Sequence, residues 1–156
     1  MKLLVSAMEA SSNVHLKELK KYLDEDIELV GVFDKELGNP LYDLTALAIM
    51  GIVDALKKLR FFFKLRDELV ELAKDCDKIL LMDSSGFNLP LAKKLRETYP
   101  NKEIIYYILP QAWAWKKGRV KKLEAYCSKL CSIIPFESEI YNDKNKITYV
   151  GHPLLD

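Results

Sequence analysis

The sequence predicts an α/β domain of the Rossmann-like class, in which a parallel sheet carries helices on both faces. The 156 residues, of which 49% are hydrophobic, are enough for one globular core. Short β-rich runs alternate with amphipathic segments along the whole chain. The run at residues 78–82 is almost entirely apolar, as is typical of strands buried on both faces of a parallel sheet.

Six strands are predicted, and helices fill most of the gaps between them. An apolar stripe beginning with Leu16 and Leu19 marks the first helix, and Ser12 or Asn13 is expected as its N-cap. Residues 34–43 are predicted to form a surface loop. The strands are expected at residues 2–7, 27–33, 78–82, 103–109, 130–134 and 147–150.

Composition excludes several classes of protein. The 24 basic and 23 acidic residues give a net charge of +1. Such a small net charge produces no overall positive field that would attract a polyphosphate, so no nucleic-acid partner is expected. Cys76, Cys127 and Cys131 form no paired framework, which indicates a reducing compartment. Cys127 and Cys131 lack further ligands, so we interpret them as small buried residues and assign no metal.

The sequence predicts a cytoplasmic protein with at most peripheral membrane contact. The apolar run at the N-terminus is interrupted by Glu9, well short of the apolar region of a signal peptide. No uncharged run reaches the roughly 18 residues needed to span a bilayer.

Two carboxylates follow predicted strands, where ligands bind in doubly wound sheets. Glu9 follows the first strand and Asp83 the third. Either becomes a candidate general base if it is partly desolvated, since burial raises the pKa of a carboxyl toward the working pH. The alternatives are an N-cap or Asx-turn role for Asp83 and a solvated loop charge for Glu9.

The first loop does not have the pattern of a dinucleotide site. It lacks GxGxxG, because no glycine occurs before Gly31, and no cofactor is expected. Ser11, Ser12 and Asn13 lie at the start of a predicted helix, where free backbone N–H groups are able to bind an anion.

A basic amphipathic helix is predicted around residues 52–65. Its apolar face is wider than one buried stripe requires, and its cations gather on the other side, a combination that an anionic membrane surface favours. Core packing and lipid contact both remain open. The apolar face consists of Ile52, Val53, Ala55, Leu56, Leu59, Phe62 and Phe63.

Both tryptophans of the chain follow the fourth predicted strand. Trp113 and Trp115 lie within the segment 109–119. Two such side chains on a loop suit sugar stacking or loop anchoring, and simple packing over the edge of the sheet is the alternative.

Five segments together resemble the N-terminal domain of the lipid-A-disaccharide synthase family. AMEASSN at residues 7–13 resembles the family's AGEASGD, and AIMGIV at 48–53 resembles its AVMGIVE. PQAWAW at 110–115 is similar to PxxWAW, IPFE at 134–137 to LPFE, and YVGHPLLD at 149–156 to VGHPLLD. The matches run in order through nearly the whole chain.

The resemblance implies one half of a GT-B glycosyltransferase of lipopolysaccharide assembly. Such an enzyme transfers 2,3-diacylglucosamine from UDP-2,3-diacylglucosamine to 2,3-diacylglucosamine 1-phosphate, inverts the anomeric centre and releases UDP. Its substrates are lipid-linked, so it is expected at the inner face of the inner membrane. The UDP-sugar is a substrate and not a cofactor.

Site residues follow from the same resemblance. Asp83 and Asn88 match the family's DAPDFN segment, whose aspartate is essential, and Glu9 matches the glutamate of the first loop. Asp83 and Glu9 are therefore the catalytic candidates. The substrate-binding candidates are Ser11, Ser12, Asn13, Asn88 and Trp113. The chain departs from the family where Met8 and Ser12 replace glycines, and where Asn13 and Gly86 replace aspartates.

The domain expectation is a Rossmann-like acceptor-side domain over residues 1–150, with residues 151–156 beginning an interdomain linker. The resemblance implies a donor-binding second domain that residues 1–156 are not expected to include, so the isolated chain is expected to be inactive. A non-catalytic lipid-surface module derived from this fold is the alternative, and another nucleotide-binding Rossmann-like domain is a weaker one.

Overall fold

The computed structural model describes residues 1–43, 55–110 and 117–155. The helices are α1 (Ala10–Lys20), α2 (Ala55–Leu72), α3 (Ser85–Thr98) and α4 (Lys117–Tyr126). The strands are β1 (Lys2–Ala7), β2 (Glu28–Phe33), β3 (Tyr42–Asp43), β4 (Lys78–Met82), β5 (Glu103–Tyr107), β6 (Lys129–Ser132) and β7 (Ile147–Tyr149).

The described strands form one sheet in the order β3-β2-β1-β4-β5-β6-β7. Every neighbouring pair is parallel, which confirms the predicted α/β Rossmann-like class. The chain runs outward from β1 through β2 to β3 and then returns to β4 on the other side of β1. The topological switch point therefore lies between β1 and β4, where Ala7 is paired with Met82 at the carboxyl end.

Helices cover both faces of the sheet, as predicted. Leu65, Leu91 and Leu123 of α2, α3 and α4 belong to one buried cluster. Leu16 of α1 packs on the opposite face with Phe33. Right-handed crossovers produce this division, because connections running in opposite directions along the sheet fall on opposite faces. Beside α1, an apolar cavity of about 540 Å³ lies over the strands.

Helix α2 has a buried half and an exposed half. Leu65 and Leu69 are fully buried, whereas Leu56, Leu59 and Phe63 are 69%, 53% and 50% exposed. Because α2 connects two parallel strands, it runs against them, and its N-terminal half lies at the carboxyl edge of the sheet. The helix predicted around residues 52–65 continues to Leu72.

Two local predictions were wrong. The N-cap of α1 is Glu9 and not Ser12 or Asn13, because the Asn13 side chain donates to the carbonyls of Ala7 and Glu9 instead of capping N–H groups. The predicted loop at 34–43 contains a 3₁₀ turn and β3. A two-residue strand is too short for period-two alternation to reveal.

Strand ends also fall earlier than predicted, for identifiable reasons. Strand β5 stops at Tyr107 because Ile108 has φ of 61°, which no strand accommodates. Strand β6 stops at Ser132, shortly before the 3₁₀ helix Pro135–Glu139. Strand β7 is followed by Gly151 at φ of 82°.

The segment after β7 returns to α1. The ring of His152 packs edge-to-face on that of His15, with 5.7 Å between centroids. Residues 151–155 form neither helix nor strand, and the domain boundary at 150 stays a prediction. Across residues 1–43, 55–110 and 117–155, no helix combines the length and apolar character that crossing a membrane requires.

Candidate functional site at the switch point

Asp83 lies directly after β4, at the switch point, on a strained backbone. Asp83 and Ser84 have φ of 48° and 40°, and Ile108, after the neighbouring strand β5, has φ of 61°. The Asp83 N–H donates to the Ile108 carbonyl at 3.3 Å. Left-handed conformations at non-glycine residues carry strain and cluster at functional sites, so the backbone itself marks this position.

The Asp83 carbonyl is held from two further directions. The Tyr106 hydroxyl donates a short hydrogen bond to it, and the Asn88 amide donates to it at 3.0 Å. Both partners are fully buried. The carboxyl is thereby presented from a backbone fixed by its neighbours, as preorganised chemistry requires.

The pKa of Asp83 is raised above its ordinary value of 3.8, chiefly because the carboxyl is partly buried. The negative charge of Glu9 adds to the increase, while the backbone N–H of Ser84, which donates to the carboxylate, opposes it. The N-cap of α3 is Ser84 and not Asp83. The N-cap alternative for Asp83 is therefore not what the fold uses.

Glu9 stands across the switch point from Asp83. Its carboxylate accepts the Ser84 hydroxyl at 2.7 Å, and its side chain is exposed. The two catalytic candidates, 74 positions apart in the chain, are thus brought into electrostatic contact through the loops after β1 and β4.

The polar residues at the start of α1 have different environments. Asn13 is buried, and its side-chain oxygen accepts the Asp34 N–H at 2.7 Å, which ties the end of β1 to that of β2. Ser12 is 1% exposed, and its hydroxyl has no hydrogen-bond partner among the described residues. Ser11 is exposed and so is open to a ligand.

The side chain of Asn88 is buried and makes all of its hydrogen bonds within the protein interior. Its amide donates to the carbonyls of Met82 and Asp83, both at 3.0 Å, and its oxygen accepts the Ser6 hydroxyl at 2.7 Å. With no exposed surface, it supports the Asp83 loop from below.

A cavity of about 700 Å³ opens between α2 and the loops after β1 and β4. Glu9 and Ser84 stand on one side of it, and the exposed half of α2 forms the other. Its lining combines apolar side chains with two cations, Lys58 and Arg66, and with the carboxylate of Glu9. The lining residues are Met8, Glu9, Lys58, Leu59, Phe62, Phe63, Arg66, Ser84, Gly86, Phe87 and Pro90.

The residues predicted for lipid contact divide between two environments. Leu56, Leu59 and Phe63 are exposed, whereas Phe62 is half-buried and packs on Phe87 with ring centroids 5.8 Å apart. The core-packing alternative therefore applies to Phe62, and lipid contact by the exposed residues stays a prediction. Ile52, Val53 and Trp113 lie outside the described residues.

Sequence reasoning missed several contributors to this site. Tyr106 and Ile108 read as ordinary strand residues, and nothing local distinguishes them. The sequence predicts that the cations of this helix gather on the side away from its apolar face, but Lys58 and Arg66 line the cavity. Each lies four residues from Phe62, which places both on its stripe of the helix. That spacing is the signal that separates them.

Fold and site together define a doubly wound α/β domain in which a strained, partly buried aspartate stands beside a glutamate at the switch point, next to a cavity that the glutamate lines. Residues 3–156 match the lipid-A-disaccharide synthetase family. The chain belongs to that family.

Named relatives cover nearly all of this chain. It is 54% identical over 154 residues to the lipid-A-disaccharide synthase of Helicobacter pylori strain G27. It is 52% identical to that of Helicobacter acinonychis and 41% identical, over 165 residues, to that of Campylobacter jejuni. These alignments include 98–99% of this chain but only 42–44% of each relative. The chain thus spans less than half the length of the relatives it matches.

Proposed function

We propose that this chain is the acceptor-side domain of a glycosyltransferase of lipid A biosynthesis. The reaction joins the 6-hydroxyl oxygen of 2,3-diacylglucosamine 1-phosphate to the anomeric carbon of UDP-2,3-diacylglucosamine. The bond from that carbon to UDP breaks, and the configuration inverts. Membership of the family supports the proposal, and the single observation that carries it is the strained, partly buried Asp83 at the switch point.

Asp83 is the proposed general base. The attacking hydroxyl must lose its proton as it reaches the anomeric carbon, and an ionised carboxylate within hydrogen-bond reach accepts it. A raised pKa makes the ionised carboxylate a stronger base, and burial and the negative charge of Glu9 cause the increase in the pKa of Asp83. Glu9 contributes the negative charge that raises the pKa of Asp83, and its carboxylate accepts the Ser84 hydroxyl.

The remaining site candidates take two roles. Asn88 and Asn13, buried and hydrogen-bonded to backbone at the ends of β4 and β1, position the two loops without touching substrate. Ser11 is the exposed member of the first turn and the one available for direct contact. Substrate binding by Ser12 and Trp113 remains a prediction.

We propose peripheral binding to the inner face of the inner membrane through the exposed half of α2. Leu56, Leu59 and Phe63 are each at least half exposed, and the exposed cations Arg60 and Lys64 flank them. Apolar side chains beside cations favour an anionic lipid surface. Substrates that carry two acyl chains reside in that surface.

A second, donor-binding domain completes the proposed enzyme. Stabilising the departing UDP needs donors aimed at its phosphates, and the first loop, without a glycine, gives a diphosphate little close access to backbone. The chain alone should therefore fold and transfer no sugar. Titrating UDP into it should give a dissociation constant weaker than about 100 μM, or roughly 5.5 kcal/mol.

The decisive assay uses a fusion of this chain to the C-terminal part of the Helicobacter pylori relative. Disaccharide formation from the two acylated substrates should appear in the fusion and not in the chain alone. Asp83→Asn should reduce turnover by at least about 100-fold. The matched control is Asp75→Asn, an exposed aspartate beyond the other end of β4, which should be silent.

Two results would contradict the proposal. A folded fusion that binds both substrates and makes no disaccharide rejects the activity, and near-normal turnover of Asp83→Asn rejects the base. The exposed apolar residues of α2, Leu56, Leu59 and Phe63, also fit the second candidate function, a non-catalytic lipid-surface module. That candidate predicts vesicle binding by the fusion with no transfer at all.

A further inference from the structure

The cations of α2 fall on two different sides of the helix. Residues four apart share a face, so Lys58 and Arg66 lie on the stripe of Phe62, which points into the molecule. Both line the 700 Å³ cavity. Lys57, Arg60 and Lys64 do not line it. A helix used only for membrane attraction needs no cations at the cavity.

We propose that Lys58 and Arg66 form a subsite for the phosphate monoester of an acylated amino-sugar phosphate, an inference that rests on the proposed function and specifies how its acceptor is held. The cavity supplies three kinds of contact for such a molecule. Cations face the phosphate, Leu59 and Phe63 face the acyl chains, and the Glu9 and Ser84 side leads to Asp83.

Aromatic rings orient both cations. The Lys58 Nζ lies 6.0 Å from the centroid of Phe62, and the guanidinium carbon of Arg66 lies 5.1 Å from that of Phe63. Such contacts hold the apolar stems along the rings and leave the charged heads at the cavity. Both charged heads therefore stand at one cavity, where each is able to donate to an anionic group.

The positive charge in the cavity is not cancelled by the carboxylate opposite. Within the described residues, neither Lys58 nor Arg66 comes within 4.0 Å of Glu9, and the ion-pair partner of Arg66 is its sequence neighbour Asp67. A phosphate monoester carries a charge of about −1.5 to −2 at neutral pH. It therefore complements this side of the cavity and is repelled by the other.

That polarity sets the direction in which an acceptor binds. A phosphate near Glu9 meets like charge, whereas a phosphate near Lys58 and Arg66 meets two cations. With the phosphate on α2, the opposite end of the sugar ring, which carries the reacting hydroxyl, points toward Asp83. The subsite thus selects the end of the acceptor that is presented to the base.

Binding of the 156-residue chain to phosphatidylcholine vesicles of three kinds tests the subsite. One kind contains 2,3-diacylglucosamine 1-phosphate, the second contains the same lipid without its phosphate, and the third contains phosphatidylglycerol. The wild type should prefer the phosphorylated over the unphosphorylated sugar lipid by about tenfold or more. Lys58→Ala and Arg66→Ala should remove that preference.

The matched control is Lys57→Ala, which removes the same charge from a neighbouring residue that does not line the cavity. It should retain the preference and lose as much phosphatidylglycerol binding as Lys58→Ala. An equal loss of preference in Lys57→Ala would show general surface attraction and overturn the subsite. Competition by UDP would assign the cations to a diphosphate instead and would equally overturn it.

Failure of the subsite and failure of the proposed function are distinguishable. If the fusion makes disaccharide while the wild-type chain shows no phosphate preference, the subsite is rejected and the function stands. If the preference depends on Lys58 while the fusion makes no disaccharide, the function is rejected and the subsite stands.

Discussion

The hydroxyl of Ser84 donates to the carboxylate of Glu9 at 2.7 Å and thereby joins the loops that follow β1 and β4. The backbone N–H of the same residue donates to the carboxylate of Asp83. One residue in a left-handed conformation thus contacts both acids of the site. The consequence is electrostatic coupling, because the charge of Glu9 stays close enough to raise the pKa of Asp83.

Glu9→Gln should lower the pKa of Asp83. The substitution removes the negative charge and keeps an oxygen that accepts the Ser84 hydroxyl. Since ionised Glu9 favours the protonated form of Asp83, its removal should move the acid limb of the kcat/KM profile of the fusion to lower pH. Glu18→Gln, at a partly exposed residue of α1 that pairs with Lys21 away from the site, should leave the profile unchanged. A limb that stays in place in Glu9→Gln would contradict the coupling.

Asp83→Asn should stabilise the fold at neutral pH even though it lowers the turnover of the fusion. A carboxyl whose pKa is raised by folding binds protons more tightly in the native state, so stability falls as the pH rises from its ordinary value of 3.8 through the raised value. Asparagine mimics the protonated form and tolerates a left-handed backbone. Urea denaturation should show a larger gain for the variant at pH 8 than at pH 4. A gain independent of pH would contradict this account.

Asn88→Ala should destabilise the domain by about 2–4 kcal/mol, because it leaves buried carbonyls and the Ser6 hydroxyl without their partner. Ser6→Ala should cost about 1 kcal/mol. A double-mutant cycle in urea should give a coupling energy of at least about 0.5 kcal/mol. Additive losses would show that the two side chains act separately.

Substitutions at Phe62 and Phe63 should distinguish a residue that packs in the core from one that contacts the membrane. Phe63→Ser should weaken binding to phosphatidylglycerol vesicles and change the free energy of unfolding by less than about 0.5 kcal/mol, because the ring is half exposed. Phe62→Ser should cost about 2 kcal/mol or more, because that ring packs between Phe61 and Phe87. Co-sedimentation and urea denaturation measure the two effects. Equal destabilisation by both variants would place both rings in the core.

Much of the fold and part of the site could be predicted from sequence. Strands that are apolar throughout and helices with a repeating stripe are local patterns, so β1, β4 and α1 were located to within a few residues. Asp83 and Glu9 followed from their positions after strands. The environment of Asn88 could not be predicted, because its partner Ser6 is 82 positions away and no pattern in the chain joins them.

By itself, the sequence determined the α/β class, the alternation of elements and the placement of two acids at strand ends, since each depends on the periodicity of neighbouring side chains. Only the tertiary structure decided that β1 and β4 are neighbours, that Asp83, Ser84 and Ile108 take left-handed conformations, and that Lys58 lines the cavity while Lys57 does not. The physical reason is that burial, strain and charge coupling arise between residues distant in sequence, once pairing of the strands has brought them together.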